Sequence, residues 1–225
     1  MTPALISSTD WFPLMLSLKV SALATLLALV VGVGLGWLFG RVRFPGRGVL
    51  EAVFMLPLVL PPTVLGYGIL VAAGRRSPVG AWLREHFDYT IIFSWHGAVL
   101  ASAIVALPLV LKSASAAFAG VDRNLEAAAS TLRQSKLSVF LRVTLPLAWP
   151  GILAGTLLAF ARAMGEFGAS LMVAGSIPQQ TQTLSMAIYD AVQAGRDDTA
   201  LLLVIATCVL SIAVLVVSNR FFSLR

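Results

Sequence analysis

The stretch LEAVFMLPLVLPPTVLGYGILVAA, residues 50–73, carries both of the features that decide the fold. It is apolar and long enough to cross a bilayer core of roughly 30 Å, which takes about 20 helical residues. Three prolines, Pro57, Pro61 and Pro62, interrupt it, and proline removes a backbone donor and clashes with the preceding helical turn. Broken backbone at membrane depth is tolerated only where protein or a water-filled cavity satisfies it. The stretch therefore predicts a broken membrane span rather than a plain anchor.

The composition extends this interpretation to the whole chain. Of its 225 residues 58% are hydrophobic and 12% are charged, whereas a soluble domain carries roughly a quarter of charged residues. Five stretches are long enough to span a bilayer: Trp11–Gly40, Leu50–Ala73, Ile91–Leu111, Leu147–Ala174 and Ala200–Phe222. We therefore predict an all-α polytopic membrane protein with about five transmembrane helices, forming one membrane domain over residues 11–222.

The distribution of lysine and arginine predicts the orientation of the chain in the membrane. With the N-terminus outside, ten basic residues fall in cytoplasmic segments: Arg41, Arg43, Arg47, Lys112, Arg123, Arg133, Lys136, Arg142, Arg220 and Arg225. Four fall in external loops: Arg75, Arg76, Arg84 and Arg196. Cytoplasmic loops carry the excess of basic residues in membrane proteins, so we expect the N-terminus outside and the C-terminus in the cytoplasm. Because the charges are spread over loops, they do not form the basic patch of a nucleic-acid-binding protein.

Polar residues inside the predicted spans indicate a transport role. Arg162 and Glu166 are four residues apart, hence on one helix face, and ionisable residues at membrane depth usually face a bundle interior or an aqueous path. Gly165 and Gly168 flank the glutamate, and Thr63 follows the double proline. These five residues are our candidates for a translocation path or gate. The alternative is that the ion pair only neutralises itself and fixes helix packing.

The long cytoplasmic connection between residues 112 and 146 contains a short amphipathic helix. Apolar residues recur there at helical spacing after a cap at Asp122: Val121, Leu125, Ala128 and Leu132. The opposite face is polar, with Arg123, Glu126 and Arg133. Such a helix lies on lipid headgroups or docks in a groove of a partner protein, and its pattern alone leaves both open.

Glu126-Ala127-Ala128 and the later Val143-Thr144-Leu145-Pro146 resemble the EAA loop of ABC importer permeases. The resemblance implies that residues 121–146 form a coupling loop whose helix sits in a cleft of a cytoplasmic ATPase and transmits its closure to the membrane helices. It assigns this coupling to Asp122, Leu125, Glu126, Ala127, Ala128, Leu132 and Arg133. The glycine of the family pattern falls on Leu132 or Arg133, depending on the end from which one counts, and neither is glycine.

Two further stretches, residues 56–67 and residues 162–169 with their continuation to Leu184, are similar to signatures of molybdate permeases. The resemblance implies the transmembrane domain of a type I ABC importer in the bacterial inner membrane. It also implies four kinds of partner: a second copy of the chain, two ABC ATPase subunits, an external molybdate-binding protein and the lipid bilayer. The sequence has no Gly-x-x-x-x-Gly-Lys-Ser/Thr motif, so ATP and Mg²⁺ are expected to bind the ATPase partner, with no cofactor in this chain.

Three alternative functions follow from the same residues. Sulfate, thiosulfate or tungstate in place of molybdate would leave the permease role unchanged. A channel or structural membrane subunit would need no coupling helix. An intramembrane enzyme would need convergent catalytic groups, and we predict neither a catalytic set nor a metal site from two histidines and one clearly intramembrane carboxylate.

Overall fold

The computed structural model describes residues 11–132 and 134–223, and each regular element in these ranges is a helix. In chain order the elements are α1 Phe12–Arg41, α2 Arg47–Val59, α3 Pro62–Ala73, α4 Pro78–Phe87, α5 Trp95–Ala119, α6 Arg123–Thr131, α7 Lys136–Val139, a π-helix Phe140–Thr144, α8 Leu145–Met164, α9 Gly168–Ala174, α10 Leu184–Gln193 and α11 Asp197–Ser223.

Four of the described helical segments are long and apolar enough to cross a membrane: α1, α5, the continuous run Lys136–Met164, and Asp197–Val214 within α11. The pair α2 and α3 makes a fifth when the two are counted as one span. This confirms the predicted all-α polytopic fold. The exposed apolar side chains along α11, among them Leu201, Val209 and Ile212, suit lipid as their solvent.

The second predicted span is broken, as its prolines indicate. Helix α2 ends at Val59 and α3 begins at Pro62, and the two axes are bent by 115°. Leu60 has an extended backbone with ψ of 140°, because the residue before a proline avoids the helical region. Pro57, by contrast, is accommodated inside α2. The change of direction is larger than that of an ordinary proline kink, and the sequence does not predict its size.

The fourth predicted span, Leu147–Ala174, is also interrupted. Helix α8 ends at Met164, and Gly165, Glu166 and Phe167 separate it from α9. The third span begins at Trp95 rather than at Ile91, because Ser94 caps α5 by accepting a hydrogen bond from the backbone N–H of Gly97 at 3.3 Å. It continues to Ala119, well beyond the predicted end at Leu111.

Small residues bring α1 and α5 together in parallel. A Cβ added to Gly32 would lie 2.9 Å from the Cβ of Val110, and one added to Gly36 would lie 2.6 Å from that of Ala114. Close approach at small residues is the usual device for packing helices inside a membrane. Each added side chain would force the helices apart, so this seam is the rigid centre of the bundle.

Helix α8 packs against α5 in the antiparallel direction. Gly151 of α8 faces Ala117, and Gly155 faces Ser113.

Helices α1 and α5 both end near α6, whereas α8 starts there and runs in the opposite direction. We call the end of the bundle that holds α6 the coupling end and the opposite end the far end. Helix α10 lies at the far end, where the N–H of Leu184 donates to the Oγ of Ser17 in α1 at 2.7 Å.

Candidate coupling and translocation sites

The predicted amphipathic helix is α6, and its apolar side is only partly covered. Asp122 caps it, since its carboxylate accepts a hydrogen bond from the N–H of Asn124 at 2.8 Å. Val121 is buried in the bundle, but Leu125 is 49% exposed and Leu132 is 74% exposed. Ala127 and Ala128 are exposed as well. Within this chain α6 therefore presents an apolar edge that has room for another surface.

Glu126 connects α6 to two membrane helices. Its carboxylate accepts a hydrogen bond from the Nη2 of Arg41, at the end of α1, over 2.8 Å. The same oxygen accepts the hydroxyl proton of Thr144, the last residue of the π-helix. The Arg41 side chain is 10% exposed and that of Glu126 is 25% exposed, so the ion pair is partly shielded from water. We refer to Arg41, Glu126 and Thr144 as the coupling cluster.

A cavity of about 760 Å³ adjoins the coupling cluster. Its wall is formed by Trp37, Arg41, Arg123, Glu126, Ser130, Lys136, Leu137, Val139, Phe140 and Thr144. Three of these residues are cationic and one is anionic, so the cavity carries a net positive charge. It lies beside α6 and the start of the fourth span, and Glu126 forms part of its wall. Glu126 thus connects α6 to the membrane helices at the edge of this cavity.

The motif Val143-Thr144-Leu145-Pro146 lies where the π-helix passes into α8. Pro146 occupies the first turn of α8, directly after the π-helix, and has no backbone N–H to donate to the preceding turn. Helix α8 has 20 residues and is thus about 30 Å long at 1.5 Å per residue. It is a rod with the coupling cluster at its first end and the Arg162–Glu166 pair at its other end.

The predicted ion pair exists at the break between α8 and α9. Arg162 Nη1 lies 2.8 Å from Glu166 Oε2, and the glutamate side chain is 1% exposed while that of the arginine is 35% exposed. The other oxygen of Glu166 accepts the backbone N–H of Ala169 at 2.8 Å. Glu166 therefore bridges the break. One oxygen pairs with Arg162 in the last turn of α8, and the other accepts a backbone N–H from the first turn of α9.

The two interrupted spans meet at their breaks. A Cβ on Gly168 would lie 2.8 Å from the Cβ of Pro62, and one on Gly66 would lie 2.6 Å from that of Met172. Helices α3 and α9 thus run side by side from the break in each span. Thr63 follows Pro62 and is exposed. The structure brings together the predicted path residues of both spans. Gly165 and Thr63 are exposed, whereas Glu166 is buried.

The predicted coupling residues and the predicted path residues are therefore two separate sites at opposite ends of α8. Asp122, Leu125, Glu126, Ala127, Ala128 and Leu132 all lie on or beside α6. Arg133 lies outside the described residues. Helix α6 ends at Leu132 with φ of −81° and ψ of 20°, so it stops without the left-handed residue that a glycine would favour.

The contacts of two residues in the coupling cluster are hard to predict from the sequence. Arg41 contributes only to the count of cytoplasmic charges, and it lies 85 residues from Glu126, so no local pattern links them. Thr144 stands in the family motif before Leu145-Pro146, and that position is the one sequence signal for its contact with Glu126.

The segment between α9 and α10 is fixed by its own hydrogen bonds. Thr181 Oγ1 donates to the carbonyl of Gly175 at 3.1 Å and accepts the N–H of Ile177 at 3.0 Å. Asp190 accepts from the side chains of Ser176 and Gln182. These hydrogen bonds therefore fix the conformation of the segment at the far end of the bundle.

Comparison with known proteins agrees with this architecture. Residues 32–224 match the family described as binding-protein-dependent transport system inner membrane component. The chain is 45% identical over 216 residues to the molybdenum transport system permease protein ModB of Escherichia coli (strain K12), covering 95% of this chain and 92% of that protein. It is 42% identical to the putative molybdenum transport system permease protein YvgM of Bacillus subtilis (strain 168), covering 95% and 94%.

Solved structures show the same fold at low sequence identity. A membrane chain of the MetNI methionine ABC transporter in an inward-facing conformation matches with a TM-score of 0.70 at 16% identity, over 93% of this chain and 92% of that one. A bacterial ABC transporter that imports the acidic polysaccharide alginate matches with a TM-score of 0.76 at 16% identity, over 96% and 79%. The chain is thus a multi-pass protein of the inner membrane, and it belongs to the family of binding-protein-dependent transport system inner membrane components.

Proposed function

We propose that this chain is the membrane-spanning permease of an ATP-driven importer for molybdate. Its function would be to move the oxyanion across the inner membrane by alternating access. The coupling mechanism rests above all on the coupling cluster, which ties the exposed helix α6 to α1 and to the start of α8. The choice of molybdate rests on the relatives, which are molybdenum permeases at 42–45% identity over most of the chain.

The partners follow from the same family. Two copies of the chain would form the path between them, two cytoplasmic ABC ATPase subunits would receive α6, and an external binding protein would deliver the oxyanion at the far end. ATP and Mg²⁺ would bind the ATPase subunits. The half-exposed Leu125 and the exposed Leu132 supply the apolar contacts that a helix needs in a partner's groove.

The chain's own residues would convert movement of α6 into a change of the path. When the ATPase subunits close, α6 shifts, and Glu126 pulls on Arg41 in α1 and on Thr144 at the start of α8. Because α8 is a continuous rod, the shift reaches the break at residues 165–167. There α9 and α3 move with it, since Gly168 packs directly against Pro62. Two arrangements of one bundle, each favoured by a different partner, are sufficient for alternating access.

The Arg162–Glu166 pair suits transient passage of a dianion. Arg162 is 35% exposed and offers positive charge to an oxyanion, while Glu166 remains bonded to it and reduces that charge. A path that binds its cargo weakly releases it readily, whereas a fixed strong site would slow transport. The binding protein, rather than this chain, would then select the oxyanion.

The test is the ATPase activity of the complete transporter in proteoliposomes. We expect the molybdate-loaded binding protein to stimulate ATP hydrolysis, and a sulfate-binding protein loaded with sulfate to leave it at the basal rate. Stimulation by the sulfate-loaded protein instead would retain the permease role and change the substrate. If no ABC ATPase bound the chain, the importer function itself would be wrong, and a channel or structural subunit would take its place.

A further inference from the structure

Lys19 is a cation inside the first membrane span that transport does not explain. It lies seven residues after the start of α1, about 10 Å along the helix at 1.5 Å per residue. Its Nζ is 3.7 Å from the centroid of the Trp95 ring. Within the described ranges, no carboxylate oxygen lies within the 4.0 Å of an ion pair with Lys19. Charged side chains in membrane spans usually have a partner, so this amine has the chemistry of an anion site.

A cavity of about 530 Å³ surrounds the amine. Its wall consists of Phe12, Met15, Leu16, Lys19, Phe93, Ser94, Trp95, Gln179, Gln180 and Thr181. Half of these side chains are large and apolar, the two glutamines carry amide groups, and none is a carboxylate. The cavity therefore offers one positive charge and polar groups beside a broad apolar wall. That combination matches an amphiphilic anion better than a small, fully hydrated one.

The helix ends around the cavity add to its positive potential. Helices α1 and α5 run in parallel and both begin here, with Phe12 and Trp95 at their first positions. Each helix N-terminus carries a partial positive charge from its aligned peptide dipoles. Lys19 and the two helix ends thus act on the same space, which favours a negative group near the Trp95 ring.

The wall opposite the helices is preformed. The carbonyl of Ile177 accepts hydrogen bonds from the N–H groups of Gln180, Thr181 and Gln182 at 3.0–3.1 Å. Phe93 is held by its N–H, which donates to the carbonyl of Val173 at 2.9 Å. A site whose walls are already fixed loses little free energy in ordering when a ligand enters.

We propose that this cavity binds the phosphate group of an anionic phospholipid in the leaflet at the far end of the bundle. Lys19 pairs with the phosphate, Gln179 and Gln180 bind its remaining oxygens, and the acyl chains lie along Met15 and the aromatic side chains. A lysine side chain extends from within a span to the headgroup level, and tryptophan is enriched at that level.

Native mass spectrometry of the complete transporter, with lipid added back after delipidation, tests this site. We expect phosphatidylglycerol to bind the wild type about five-fold or more tightly than phosphatidylcholine, because Lys19 and the helix ends repel the choline cation that neutralises the phosphate, and five-fold is about the gain of one lysine near an anionic lipid. Lys19→Gln should abolish the preference, and Lys19→Arg should retain it. Arg76→Gln is the matched control, because it removes an exposed cation beyond α3 at the same end of the bundle.

Three outcomes would overturn the proposal. Equal binding of the two lipids by the wild type would mean that the cavity does not select an anionic headgroup, and this result needs no variant to fold. An unchanged preference in Lys19→Gln would place the lipid elsewhere. Displacement of the lipid by millimolar molybdate or sulfate, lost in Lys19→Gln, would identify a site for a free oxyanion instead. None of these results depends on whether molybdate is the transported substrate.

Discussion

Helix α6 does not depend on the side chain of Glu126 for its own stability. Helix α6 is capped by Asp122, so the carboxylate of Glu126 is available to the helices beneath it. Arg41 and Thr144 share one oxygen of that carboxylate. Because both partners belong to membrane-spanning segments, the side chain connects the surface helix α6 to the bundle.

Breaking this link should uncouple the transporter without unfolding it. We expect Glu126→Gln to lower both uptake and stimulated ATP hydrolysis on the order of ten-fold, since a hydrogen bond to a charged group contributes about 1.5–3 kcal/mol. Arg41→Gln should have a similar effect, and the reversed pair Arg41→Glu with Glu126→Arg should recover a substantial part of the activity. The measurement is uptake of labelled molybdate by proteoliposomes that contain the complete transporter.

The ion pair between Lys112 and Glu51 provides the control. Its length of 2.9 Å matches that of the Arg41–Glu126 pair, but the Lys112 side chain is 67% exposed, and exposed pairs contribute little. The transporter with Lys112→Gln should therefore take up molybdate at nearly the wild-type rate. Wild-type uptake by Glu126→Gln, in a complex that assembles normally, would show that α6 transmits its movement through other contacts.

At the scale of the element, the important feature is that two broken helices contact each other at their breaks. Neither α3 nor α9 is long enough to cross a membrane, and each starts directly after the break in its span. The contact between Pro62 and Gly168 holds these starting points together. A displacement of one half-helix is therefore passed to the other at the place where the candidate path residues lie.

A single methyl group at this contact should impair transport. In Gly168→Ala the new Cβ would approach the Cβ of Pro62 to 2.8 Å, so backbone must shift, and overpacking of this kind typically costs about 1–3 kcal/mol. Gly68→Ala, on α3, is the control, because nothing lies within 4 Å of a Cβ added there. We expect uptake to fall several-fold in Gly168→Ala and to remain near wild type in Gly68→Ala. Equal uptake by both would mean that the breaks move independently.

The sequence predicts the elements better than it predicts their directions. Hydropathy identifies the spans, the prolines locate the first break, and the apolar spacing with Asp122 locates α6. The 115° bend between α2 and α3 is not predictable, because it depends on the packing of α3 against α9 and not on Pro61 and Pro62 alone. The coupling cluster is also hidden, since Arg41 and Glu126 meet only when α1 and α5 have packed in parallel.

At the scale of the whole molecule, the helix directions link the two ends of the bundle to the two sides of the membrane. Helices α1 and α5 run from the far end to the coupling end, and α8 returns. The excess of lysine and arginine lies at the coupling end. This arrangement agrees with a coupling end in the cytoplasm, the orientation that we predict from the charges.

Cysteine labelling of intact cells tests this orientation. Cys208 is the single cysteine of the chain and is exposed, so we would replace it with alanine first. A membrane-impermeant maleimide should then label Arg76→Cys, between α3 and α4, and should not label Arg43→Cys, between α1 and α2. Both positions are exposed, and inverted vesicles should reverse the pattern. The opposite result in cells would place α6 outside and exclude a cytoplasmic ATPase partner.

The π-helix at Phe140–Thr144 sets the rotational phase of α8. Each residue of an α-helix advances the chain by about 100° around the axis, and a π-turn accommodates one more residue than the α-turn it replaces. If the same residues formed an ordinary α-turn, the rest of α8 would therefore be turned by about 100°, more than a quarter of a revolution. Arg162 would then lie on a different side of the bundle, although no residue near the path had been changed. In this bundle the angular setting of the far end is fixed at the coupling end, by the five residues of one widened turn.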